Sequence, residues 1–235
     1  DQPSPTKDVN VRKALLMAVD RAAIAKALYK GYASVPTSAT PKITPGYNPD
    51  TKAIPYDPEG AKKLLADAGV KDLTLQLSSY NTTTVPDIGK LAETIAQYWS
   101  QIGVKATLNN VESATYLPQF RNKQLKGAAM IAGPTYFYIE PSRLSATSFF
   151  WSKAPYTPIV GDTKLDALVD QINVETDYDK RAALGRQQAD YIDSQLYGLP
   201  MILTSSLLAV GPNVAEFGYI QSNPYAGPTS WIIAK

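Results

Sequence analysis

Two residue types are missing altogether from this 235-residue chain: it has no cysteine and no histidine. The first absence excludes disulfides, thiolate metal sites and cysteine nucleophiles, and it fits an oxidising compartment without requiring one. The second removes the commonest general base and the commonest metal ligand at one stroke. An excess of charge is missing too. The balance is +2, too small to argue for nucleic acid or an anionic membrane as partner. No run of about 18 apolar residues occurs, so no segment reads as a bilayer-spanning helix. Nor is there a Gly-x-Ser-x-Gly elbow, a phosphate loop or a metal-ligand cluster, so neither catalysis nor a cofactor or metal is expected. What is present describes a folded chain with a substantial core, with 44% hydrophobic and 19% charged residues. The excess lies in 15 tyrosines and 18 prolines, which cluster in loops. The opening Asp1-Gln2-Pro3-Ser4-Pro5 carries no signal-peptide pattern and reads as a cut inside a longer polypeptide.

Helix signals punctuate the chain at regular intervals. Asp8 and Asp20 can cap two successive helices, because a short carboxylate accepts from the free amides of a first turn, and Gly31 supplies a left-handed stop. From Tyr32 to Tyr56, prolines at 36, 41, 45, 49 and 55 oppose regular structure and predict a long ordered loop. Asp57-Pro58 opens a third helix with Ala61, Leu64, Leu65 and Ala68 on one face, closed by Gly69. Leu73, Leu75 and Leu77 alternate with polar residues, as in a half-buried strand. Pro86 can open the clearest helix, whose Ile88, Leu91, Ile95, Trp99 and Ile102 share a face, with Gly103 closing it. A strand over 104–108, a helix near 116–122 and a strand over 128–132 follow. Leu165, Leu168, Val169 and Ile172 predict a further helix. Asp177 caps the next, with Ala182, Ala189, Ile192 and Leu196 on its face. Strands are expected over 200–204 and 207–210. Strands alternating with helices give an α/β unit with a mixed sheet flanked by helices.

Four segments stand out. Asp8-Val9-Asn10-Val11-Arg12-Lys13-Ala14-Leu15 runs into Ala18-Val19-Asp20-Arg21. Pro55-Tyr56-Asp57-Pro58-Glu59-Gly60-Ala61-Lys62-Lys63-Leu64-Leu65 precedes Ala68-Gly69. Ile102-Gly103-Val104-Lys105 follows an amphipathic helix, and Asp179-Lys180-Arg181 opens another. Their order and spacing resemble the C-terminal lobe of the family 5 substrate-binding proteins of ABC transporters, which take up peptides, nickel chelates, opines and oligosaccharides. The resemblance implies a periplasmic-binding-protein-like lobe of type II. Residues 1–210 would form the ligand-binding lobe, and 211–235 a tail returning toward a missing N-terminal lobe. It further implies closure of two lobes over a small solute (an opine, oligosaccharide or peptide-like molecule) and delivery to an ABC permease. The implied location is the periplasm, or the outer face of a Gram-positive membrane. Similar lobes also occur fused to DNA-binding modules, so a ligand-sensing domain of a transcriptional regulator is the alternative.

Candidate ligand residues lie on two loops. Pro134, Thr135, Tyr136, Phe137, Tyr138 and Arg143 belong to a segment directly after a strand, and strand-end loops of α/β sheets face the ligand crevice. Three consecutive aromatics there offer stacking faces with hydroxyls for hydrogen bonds, although the same rings could pin the loop into the core. Peptide-binding members of the family hold an acidic residue here that pairs with the peptide amino group. Aligned on Glu140-Pro141, that position is Phe137, which implies other solutes than ordinary peptides. Tyr80 and Asn81, within Ser79–Thr84, offer hydroxyl and amide groups, or simply form a turn. The Asn81-Thr82-Thr83 sequon reads as chance. Arg12-Lys13 and Asp179-Lys180-Arg181 read as exposed helix charges. Asp57/Glu59 and Asp190/Asp193 read as caps and solvent-facing residues.

Overall fold

A computed structural model describes residues 4–82, 85, 87–131, 151–154, 161–205, 211–217 and 231–233. The expected caps form. Helix α1 (Val9–Met17) begins where the Asp8 carboxylate accepts from the Asn10 amide, and α2 (Arg21–Tyr29) where Asp20 accepts from Ala23. Lys30 as well as Gly31 turns left-handed at the end of α2, with φ of 50° and 87°. The proline-rich stretch that follows is irregular apart from β1 (Ala33–Ser34). Helix α3 (Pro58–Asp67) starts from Asp57, whose side chain accepts from Gly60.

The central sheet is built from β2 (Thr74–Asn81), β3 (Lys105–Glu112) and β4 (Ala128–Ala129), with β2 in the middle and both pairings parallel. Helix α4 (Ile88–Gln101) crosses between β2 and β3 and packs on both. Its Ile88, Leu91, Ile95 and Trp99 are buried, as their spacing requires. After β3 comes α5 (Ser113–Arg121); α6 (Thr163–Val174) and α7 (Tyr178–Gln195) are capped by Asp162 and Asp177. Strand β5 (Leu203–Thr204) pairs antiparallel with β1, and β6 (Val214–Phe217) pairs antiparallel with β7 (Trp231–Ile233). Parallel and antiparallel pairing are thus both present, on separate sheets. The expected strand over 207–210 lies outside the described residues.

The main core joins Val11, Ala14 and Leu15 of α1 to Leu75 and Leu77 of β2 and to Ile95 and Trp99 of α4. Trp99 is 1% exposed and satisfies its indole by donating to the Leu15 carbonyl at 2.9 Å. Each fully buried large side chain of this kind contributes about 1.5–3 kcal/mol. A second cluster places Leu165 and Val169 of α6 against Ile192 of α7. Beyond Leu77, β2 is no longer half-buried: Ser78, Ser79 and Tyr80 are all covered, because α4 and α5 both pack on that end.

Two arginines act as tethers. Arg12 is not a simple exposed helix charge. It donates to the carbonyls of Thr6 and Lys7 and to that of Gln195 at the end of α7, and its guanidinium lies 5.1 Å from the Tyr197 ring centre. Arg21, 5% exposed, donates to the carbonyls of Pro36, Ile54 and Pro200, and so fixes both ends of the proline-rich loop. Burial lowers the pKa of both guanidiniums; for Arg12 the nearby Tyr197 and Asp8 pull the other way.

Candidate functional site

Parallel strands end on one edge, and β2 and β3 stop in register, with Asn81 opposite Glu112. The C-terminal rim of an open parallel sheet is the place where such folds hold ligands, since the loops that follow the strands converge there. Strand alternation puts Ser79 and Asn81 on the same face as Asn110 and Glu112. Their side chains form a directed chain. Ser79 Oγ donates to Asn110 Oδ1 at 3.3 Å, Asn110 Nδ2 to Asn81 Oδ1 at 3.4 Å, and Asn81 Nδ2 to Glu112 Oε1 at 3.1 Å. The buried end is Ser79, at 2% exposed, and the open end is Glu112. Asn81 still has one N–H and one acceptor lone pair after these bonds.

The opposite face of the rim is apolar. Tyr80 is buried and stacks on Tyr116 with ring centres 4.5 Å apart, and Ile88 and Phe120 complete the cluster. Tyr80, read from the sequence as a hydroxyl for a polar ligand, has its ring taken up by this packing. Tyr116 is fully buried and donates to the Met130 carbonyl at 2.7 Å. Burial chiefly, and Tyr80 secondarily, pushes its phenol pKa far up, so it remains a hydrogen-bond donor. Of the candidate residues read from the sequence, the structure brings Asn81 to the rim. Pro134, Thr135, Tyr136, Phe137, Tyr138 and Arg143 lie outside the described residues.

Glu112 and Asn110 escaped sequence reading. The alternation that marks β3 in the sequence fades after Leu108, and only the register with β2 shows which of its residues share the rim.

The acidic pairs resolve as follows. Asp57 caps α3 and Glu59 pairs with Lys62 at 2.7 Å. Asp190 accepts from Asn48 at 2.7 Å. Asp193, expected to face solvent, is instead turned inward beside a small cavity lined by Leu16, Arg21 and Pro200 among others, and accepts from the Ala39 amide at 3.0 Å. Burial raises its pKa, hydrogen bonds from Ser38 and Ala39 partly reverse the rise, and Asp190 adds to it. Among the described residues no group of three or more acidic side chains is arranged to hold a metal ion.

A model of the family described as bacterial extracellular solute-binding proteins, family 5 (middle region) matches residues 2–156. The chain belongs to that family. The dipeptide-binding protein of Escherichia coli is 31% identical over 198 residues, which cover 79% of this chain and 36% of that protein. Heme-binding protein A of Haemophilus influenzae is 28% identical over 94% of this chain and 41% of its own length. Among solved structures, HbpA2 from Haemophilus parasuis superposes with a TM-score of 0.73 and 28% identity, covering 83% of this chain and 39% of that one. A murein tripeptide binding protein, MppA, in an unliganded open form shares the fold at a TM-score of 0.71 and 24% identity, over 99% of this chain and 46% of its own. The chain thus spans about two-fifths of the length of its family 5 relatives. They are solute-binding proteins rather than enzymes, and the regulator alternative finds no support among them. No helix among the described residues is long and apolar enough to cross a membrane.

Proposed function

We propose that this chain is the C-terminal ligand-binding lobe of an extracellular solute-binding protein, and that it closes with a second lobe over a small solute. The observation that carries the reading is the match in coverage: 83–99% of this chain aligns to 39–46% of each of these relatives. Such a part presents one wall of a crevice. The rim of β2 and β3 would be that wall, with Asn81 and the segment 134–143 facing the solute. Residues 211–235 would return toward the other lobe. A ligand stabilises the closed arrangement only through contacts it lacks in the open one, and the unliganded open form of MppA agrees with that scheme. No residue is assigned a chemical step. The partners are the second lobe, the solute and an ABC permease; the location is the periplasm or the outer face of a Gram-positive membrane. The solute is a peptide-like molecule, an opine or an oligosaccharide, and Phe137 at the place of an acidic residue favours the latter two over ordinary peptides.

The test uses the full-length protein that contains this chain. Calorimetry is run against di- and tripeptides, mannopinic and agropinic acids, short oligosaccharides and heme. Small-angle scattering is recorded with and without whatever binds. One-to-one binding with a smaller radius of gyration supports the reading. Binding to none of these solutes, together with retention of DNA, would replace it with the regulator.

A further inference from the structure

The proline-rich loop between β1 and α3 is docked on α7 through three of its side chains, spaced a turn apart. Arg186 donates to the Tyr47 carbonyl at 2.8 Å and to Asn48 Oδ1 at 2.9 Å, Asn48 donates to Asp190, and the Ala39 amide donates to Asp193 Oδ1. Ser38, Thr40 and Thr44 of the loop are only 3–6% exposed, so its polar groups are sealed in with it. The Ser38 hydroxyl accepts from the Thr40 amide, which leaves its own proton to donate to Asp193. The other oxygen of Asp193 is in a different position. Oδ2 is closed to solvent and has no hydrogen-bond partner among the described residues. Nor does a cation neutralise it. Arg21 of α2 and Lys52 of the loop line the adjoining cavity, yet among the described residues neither forms an ion pair with Asp193. Arg21 is committed to three carbonyls, Arg12 of α1 to those of Thr6, Lys7 and Gln195, and Arg186 lies 3.8 Å from Asp190. The charge that does act on Asp193 is Asp190, one turn earlier and of the same sign. A bare carboxylate oxygen buried beside a like charge is costly, and a proton placed on it removes that charge.

We propose that Asp193 is a proton-operated latch: uptake of one proton from solvent on Oδ2 tightens the docking of the proline-rich loop on α7. Oδ1 stays free to accept from Ala39 in either form, so the latch changes charge without losing that bond. A neutral hydroxyl buried there costs less than an unpaired charge. Burial raises the pKa of the docked carboxyl, the bonds from Ser38 and Ala39 partly offset the rise, and Asp190 adds to it. Lifting the loop returns the group to water and to the ordinary carboxylate range. The docked loop therefore holds the proton more tightly than the lifted one. Its extra stability is fully present below the ordinary carboxylate pKa of about 4 and is lost as pH rises through the docked value. This is the opposite sign to a carboxylate stabilised by its partners, and it does not depend on which solute the protein carries.

The experiment follows hydrogen exchange by mass spectrometry in peptides covering residues 37–52 of the full-length protein, between about pH 4 and about pH 8. Parent and Asp193→Asn are compared at each pH, which cancels the intrinsic pH dependence of exchange. Asparagine keeps the shape and the acceptor oxygen and carries no charge. At the alkaline end the loop of the parent should exchange several-fold faster than that of the variant, and the two should converge at the acid end. Slower exchange in the parent at the alkaline end would show that the ionised carboxylate holds the loop, and would overturn the proposal. A difference that does not change with pH, or no difference at any pH, would overturn it as well. Should the variant fail to fold, the parent decides alone, with α4 as reference in the same sample. Exchange of 37–52 relative to α4 that rises with pH supports the latch, and a flat or falling ratio overturns it.

Discussion

Neighbouring residues at the end of β2 do opposite jobs, because a strand turns successive side chains to opposite faces. Tyr80 packs into a ring cluster, while Asn81 is exposed and hydrogen-bonded along the rim. Tyr80→Ala should therefore cost about 3–5 kcal/mol of stability, as for other buried aromatic truncations. Asn81→Ala should cost no more than about 0.5 kcal/mol, as at ordinary surface positions. Urea unfolding of both variants, paired with calorimetry in the full-length protein, separates the roles. Affinity lost only with Asn81 places the ligand on its face, whereas affinity lost only with Tyr80 would place it on the other. Asp162 offers a test of charge at the same scale. Burial disfavours its ionised form, but hydrogen bonds from Tyr197, the Leu165 amide, Tyr191 and the Lys164 amide outweigh burial and hold its pKa below the ordinary value. A depressed native pKa stabilises the fold above the unfolded pKa and loses that stabilisation as pH falls through the native one. Asp162→Asn should thus trail the parent by a constant margin above about pH 5, and the margin should shrink on further acidification. A margin unchanged down to about pH 2 would show that the deficit of the variant does not come from loss of the ionised carboxylate.

At the level of elements, close approach of backbone to backbone fixes how the proline-rich loop sits on α7. Gly46 has φ of 88°, and a Cβ built there would lie 2.5 Å from the Arg186 nitrogen and 2.6 Å from the Ala182 carbonyl oxygen. Gly31 has almost the same φ, 87°, with no atom within 4 Å of the corresponding point. Gly31→Ala should therefore pay backbone strain alone, roughly 1–2 kcal/mol. Gly46→Ala should cost clearly more, since loop or helix must also shift. Equal unfolding free energies for the two variants would mean that the loop rides freely on α7. The same elements show what a sequence discloses. Helix starts were legible at Asp8, Asp20, Asp57 and Asp177, where the capping chemistry is local, and α4 was legible in its 3, 4, 4, 3 spacing of apolar residues. The β1–β5 pairing was not, because Ala33 meets Thr204 through a contact that no local pattern encodes. Arg12 read as a solvent charge for the same reason: its partner carbonyl at Gln195 is remote in sequence. The rim was half legible. Asn81 announced itself as a polar residue at a strand end, but Glu112 acquires its place only from the parallel register that sets it opposite.

For the molecule as a whole, folding and binding make different demands on this chain. The core of α1, α3, α4 and the parallel sheet is complete within the described residues, with Val11, Ala14, Ala61, Trp99 and Val104 each at 0–1% exposure. The chain by itself should therefore unfold cooperatively. Hydrogen exchange supplies a control within the same sample: α4 should exchange slowly, and residues 211–235 faster if that tail belongs against the second lobe. Binding is another matter. A site enclosed by two lobes buries about 70–90% of a small ligand, and one wall can contribute only about half of that contact. A full-length protein with micromolar affinity gains about 8.2 kcal/mol on binding, and half of that corresponds to a dissociation constant near 1 mM. The isolated chain should accordingly bind the same solute at least about a hundredfold more weakly while keeping its circular dichroism spectrum and melting transition. Calorimetry on the chain alone and on the full-length protein, with one ligand and one buffer, measures the difference directly. Matching affinities would place the whole site on this chain, and closure of a second lobe would then serve delivery to the permease and not capture of the solute.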